Sequence, residues 1–119
     1  MEAYELARRV VAEIEKYEVP LEPAPGQLGS QLPPEWFEAG LADMRAALVA
    51  PYQLEASDHD ITPGAVILRS VWIVGDDNRG TLLAYDPTPG GDYVLLWRAN
   101  SGHAVSNIRG DAVGCFLAR

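Results

Sequence analysis

Ala3, Leu6, Val10, Ile14 and Tyr17 recur at three- and four-residue steps. That spacing lines one face of a helix and predicts an amphipathic helix over residues 2–18. Glu5, Arg8, Arg9, Glu13 and Lys16 fall on the opposite face, and Pro20 ends the pattern because the residue before a proline is pushed out of helical geometry. Phe37, Leu41, Met44 and Leu48 repeat the same period and predict a second helix over 34–49, with Trp36 beside the stripe. Pro33 and Pro34 suit its start, where a missing amide hydrogen costs nothing. Glu35 and Glu38 complement its dipole, and Pro51 is expected to close it. The proline- and glycine-rich stretch 20–34 between the helices reads as a surface crossing.

From residue 65 the period changes to that of strands. Residues 65–74 are rich in Val and Ile, which favour a pleated surface. Asp76-Asp77-Asn78-Arg79-Gly80 reads as a hairpin loop, with Gly80 at positive φ, and 81–85 as the returning strand. Asp86–Gly91 is the next turn, 93–98 a third strand and 104–108 a short fourth. Tyr52–Ala56 offers a further short strand in a polar, turn-rich region. Asp111 is placed to cap a closing helix whose Val113, Phe116 and Leu117 face inward. Helices and strands are segregated along the chain. The expected class is therefore α+β: one domain, 1–119, with two N-terminal helices packed on one face of an antiparallel β-meander sheet and a short C-terminal helix.

Charge adds a second layer. The 119 residues carry a net charge of −8. Residues 1–60 hold 12 acidic and 4 basic side chains, and residues 61–119 hold 5 of each, so the whole excess lies in the first half. An acidic surface disfavours nucleic acid, which requires a basic footprint, and attracts basic partners; taken by itself, the charge reads first as a source of solubility. One cysteine, Cys115, cannot form an internal disulfide. The acidic start lacks the basic-then-apolar pattern of a secretory signal, and no apolar run approaches the ~20 residues of a membrane span. The expected location is the cytoplasm.

Candidate chemistry is sparse. Cys115 with His59 or His103 could be a nucleophile and base, but its neighbours Val113, Phe116 and Leu117 mark it as a small core residue. Asp58-His59-Asp60 alternates in direction and has no second cluster to complete a metal site. The 76–80 loop has Pro87 where a calcium loop needs its bidentate glutamate. No glycine pattern cradles phosphate. No catalytic residue, metal or cofactor is assigned, and the chain is expected not to be an enzyme. The partner-binding candidates are the acidic Glu55, Asp58, Asp60, Asp76 and Asp77, with Trp36 as an aromatic anchor.

Val71-Trp72-Ile73-Val74-Gly75-Asp76-Asp77, then Gly80, then Leu83-Ala84-Tyr85-Asp86 resembles the strand–hairpin–strand core of the SUKH superfamily. Tyr93–Trp97, the closing segment Asp111–Leu117, Ile14-Glu15 on the first helix and Leu32-Pro33 before the second fit the same arrangement. Tyr52–Thr62 stands where that family has an asparagine-glycine segment. The resemblance implies a cytoplasmic immunity protein that binds a cognate toxin domain, such as a nuclease or a type VI or contact-dependent effector, and blocks it stoichiometrically. The same superfamily also contains regulatory and scaffold modules, which is the alternative reading. A small enzyme using an unrecognised carboxylate or histidine pair is the third.

Overall fold

The computed structural model describes residues 2–19, 32–58, 67–87, 91–99 and 102–119. The elements run α1 (Ala3–Lys16), α2 (Pro34–Ala47), β1 (Leu48–Asp58), β2 (Ile67–Asp76), β3 (Thr81–Asp86), β4 (Asp92–Ala99), β5 (Gly102–Gly110) and α3 (Ala112–Leu117). The helices follow the sequence closely. Leu6, Val10 and Ile14 are the buried stripe of α1, and Leu41, Met44 and Ala47 that of α2. Asp111 caps α3 by accepting the Gly114 N–H. The proline-rich linker of 20–31 lies outside the described residues.

The strands do not form the expected open meander under two helices. They close into a five-stranded barrel in the order β1-β2-β3-β4-β5. Consecutive strands pair antiparallel, and β1 then meets β5 in parallel at Ser57 and Ala104. The Ser57 hydroxyl donates to the His103 carbonyl across this seam at 3.2 Å. Closure requires a first strand of 11 residues, where the sequence offered only Tyr52–Ala56. Pro51 does not end α2. The helix stops at Ala47 and Pro51 sits where the β1–β2 register shifts, between Leu48 and Tyr52, a bulge that tolerates a residue without an N–H.

Two apolar clusters explain the closure. One lies between helices and barrel wall and joins Leu6, Val10, Ile14 and Met44 to Leu83, Tyr85, Tyr93 and Leu95. The other is made of alternate residues on the same strands, Ala56, Val71, Ile73, Leu82, Ala84, Val94, Leu96 and Val105. Successive strand side chains point to opposite faces, so the second cluster fills the lumen. All six residues of β3 are buried. A barrel this small has a packed interior.

Candidate functional site

The lumen has two unlike ends. Asp58, Arg69, Asp86 and Arg109 continue the inward-facing positions of β1, β2, β3 and β5 at one of them. Arg69 Nε donates to Asp58 Oδ2 at 2.5 Å, and Arg69 Nη1 lies 3.6 Å from Asp86 Oδ2. Arg109 donates to Asp86 Oδ2 from both terminal nitrogens at 3.2 Å and lies 3.9 Å from Asp58 Oδ2. Asp58 is 3% exposed and Asp86 is fully buried. Two carboxylates and two guanidiniums thus balance in charge where the apolar lumen stops.

This corrects the expectation for Asp58. Its carboxylate is committed to the ionic cluster and is not offered to a partner. Glu55, three residues earlier, is exposed on the outer wall of the barrel opposite Ser70. Asp60, like His59, lies outside the described residues.

The other end of the lumen is open. A cleft of about 570 Å³ lies there, floored by Leu54 and Leu82 above the apolar plug. Tyr52, Arg98 and His103 line it, Arg98 and His103 being direct cross-strand neighbours. The 76–80 hairpin forms the remaining side with Asp76, Asn78 and Arg79.

That hairpin is held by its own carboxylates. Asp76 Oδ1 accepts the Asn78 N–H at 2.8 Å. Asp77 Oδ1 accepts from Arg79 N–H at 2.8 Å and Thr81 N–H at 3.1 Å. Asn78 (φ 59°) and Gly80 (φ 98°) occupy the left-handed turn region that Asn and Gly tolerate best. The Asp77 side chain is 8% exposed and its Oδ2 lies 3.5 Å from Arg119 Nε. Arg119 also stacks on Phe116 at 4.0 Å and approaches Asp43 at 3.8 Å. Asp77 is therefore chiefly a hairpin brace tied to α3. Asp43, whose side chain is 69% exposed, keeps most of its surface in solvent despite the 3.8 Å approach of Arg119. It was not singled out in the sequence, although its position seven residues after Trp36 places both on one side of α2.

Trp36 is 40% exposed and packs edge-on against Phe37 with ring centroids 5.0 Å apart. Trp72 packs against the helix-side core, while Trp97 is 39% exposed on the barrel wall. The solvent face of α2 thus carries Trp36 with the exposed acids Glu35, Glu38 and Asp43 and a single base, Arg45.

Cys115 and His103 do not meet. Cys115 is 2% exposed in the helix-side core, whereas His103 lines the barrel mouth. Its thiol donates to the Tyr93 carbonyl at 3.5 Å, and burial pushes its pKa up to about 11. A thiol so placed stays protonated at neutral pH and is a poor nucleophile. Among the described residues no group of three or more His, Cys, Asp or Glu could hold a metal ion. No described helix is long and apolar enough to cross a membrane.

Comparison with family models, curated proteins and solved structures finds no match to this chain. The resemblance to the SUKH superfamily therefore rests on the sequence motifs.

Glu13 ties α1 to the far side of the helix layer. Its Oε1 accepts the Ala112 N–H at the start of α3 at 3.3 Å, and Tyr93 adds a side-chain hydrogen bond. Burial is the largest influence on it and raises its pKa above the usual 4.5. Burial, with Glu13 next, likewise raises that of Tyr93.

Two predictions follow from this geometry. Arg69→Met keeps volume but leaves two buried carboxylates facing one guanidinium. Breaking a buried pair costs about 3–5 kcal/mol, to be read as the loss of unfolding free energy in urea; a loss below about 1 kcal/mol would contradict the ionic cluster's role. For Glu13 the folded pKa is raised, so the protonated carboxyl favours folding below about pH 4.5 and that contribution is lost as pH rises through the folded value. Glu13→Gln keeps the acceptor for Ala112 and never ionises. Its stability relative to the native chain should rise between pH 4 and pH 8, and a relative fall over that interval in chemical denaturation refutes the assignment.

Proposed function

We propose that the protein is a cytoplasmic immunity protein that binds a basic toxin domain stoichiometrically, with the solvent face of α2 as the docking surface. The observation that carries this reading is the pairing on one helix of a half-exposed tryptophan with three exposed carboxylates and one base. Tryptophan is a strong interface anchor because it buries a large area at low entropic cost. Carboxylates on the same helix, with Asp43 on the side of Trp36, steer a basic partner and select against acidic ones. The two N-terminal helices and their flanks carry half of the chain's acidic excess of −8, eight carboxylates in residues 2–19 and 33–47 against four basic side chains. The SUKH-like motifs support the same reading and add the class of partner, a toxin acting inside the cell.

Asp76 lies at the edge of this surface, in a groove that also includes Asp43, Ala46, Asp77 and Arg119. Glu55 faces solvent on the barrel wall and would extend the surface only for a partner large enough to wrap around the first strand.

The reading is tested by co-expressing the protein with the toxin encoded beside it. Growth should be restored, and Trp36→Ala should weaken the isolated complex by about tenfold or more, the size expected for an anchor residue. Asp43→Lys should weaken it further at low salt than at high salt. Cells that die equally fast with and without the protein contradict the proposal.

A further inference from the structure

We propose that the open mouth of the barrel is a binding site for a small organic anion: a carboxylate or phosphate carried on an apolar or aromatic body. It shares the 76–79 side of the hairpin with the groove at the edge of the α2 docking surface, and Tyr52, Leu54, Arg98 and His103 are residues that reading leaves idle.

The placement of side chains carries the inference. Tyr52 and Leu54 lie four and two residues before Ala56 on β1, Arg98 lies two after Leu96 on β4, and His103 two before Val105 on β5, each an even step from a lumen-filling position. Strand alternation therefore turns all of them toward the barrel axis. The lumen below is filled with aliphatic residues, so a ligand stops at the mouth and cannot enter. The volume, about 570 Å³, lies in the range of small-molecule sites, and barrel mouths are a common place for them.

The chemistry of the lining selects the ligand. Arg79 from the hairpin and Arg98 from β4 bring two guanidiniums to the cleft from separate segments, with His103 beside Arg98. Neither arginine forms an ion pair with a carboxylate of the described residues, unlike Arg69, Arg109 and Arg119. Among the described residues Asp76 is the one carboxylate in the lining, and its Oδ1 accepts the Asn78 N–H. A guanidinium presents a planar fork of donors that fits a carboxylate or phosphate through two parallel hydrogen bonds. The exposed Tyr52 ring, Leu54 and Leu82 form an apolar surface beside those charges. This concentration of positive charge runs against a net charge of −8 and so acts on a ligand at short range.

The test is a titration of the isotope-labelled protein, followed by amide chemical shifts, with phenyl phosphate, phenylacetate, inorganic phosphate and neutral phenol. Phenyl phosphate or phenylacetate should saturate with a dissociation constant on the order of 1 mM, the range expected for two charge-assisted contacts. Shifts should concentrate at residues 52–54, 79–82, 98 and 103. The tighter of the two anions identifies the head group, and weaker binding of inorganic phosphate than of phenyl phosphate assigns the apolar wall its share. Arg98→Gln and Arg79→Gln should each weaken binding about tenfold, while Arg8→Gln on α1 leaves it unchanged. Both mouth arginines are exposed, and spectral dispersion reports whether each variant is folded. Failure of both aromatic anions to saturate, equal binding of phenol, or unchanged affinity in folded Arg98→Gln and Arg79→Gln overturns the proposal. A failed titration with growth still restored by co-expression would remove the cleft and leave the docking face standing.

Discussion

Thr81–Asp86 is buried along its whole length, on both faces of the strand. Leu83 and Tyr85 meet the helices, and Leu82 and Ala84 do not. An open sheet with helices on one side would leave that second face in water, at a cost of roughly 25 cal/mol for each Å² of apolar surface. The chain has no further helices among its described residues to cover it. The sheet covers itself instead, by curling until β1 reaches β5. The bulge at Pro51 and the register shifts in the β2–β3 and β4–β5 pairs let the strands bend far enough.

Closure then decides what the polar residues at the strand ends can do. Inward positions near the ends of the lumen hold side chains too polar for the plug. At one end these are two aspartates and two arginines, which seal the lumen by pairing with each other. Their worth lies less in net stability than in the penalty for leaving any one of them alone. At the opposite end neither arginine pairs with a carboxylate of the described residues, and the cleft stays open. The barrel wall thus carries one spent charge cluster and one unspent one, while the acidic helices look outward on another side.

Much of this was legible along the chain. Period gave the faces of α1 and α2, capping gave the start of α3, and the company of Cys115 gave its burial. The hairpin at 76–80 followed from its turn residues. The barrel was not legible, because its seam joins residues 57 and 104, and no local pattern reports a pairing across that separation. β1 was shortened for a related reason: Pro51 and the polar residues around it argue against a strand until the bulge is known. Asp58 was misplaced because a carboxylate inside a lumen looks like any surface acid in sequence. Its partners at 69 and 109 come from other strands and reach it only once the barrel has closed. Asp43 was missed for the opposite reason, being one acid among many until Trp36 proved exposed beside it on the same side of the helix.

The most direct test of closure is nuclear Overhauser spectroscopy across the seam. Backbone protons of Ser57 should show contacts with those of Ala104, alongside the ladders joining β1 to β2 and β4 to β5. If those ladders appear while the contact between Ser57 and Ala104 is absent, the sheet is open and the lumen, with both of its ends, does not exist.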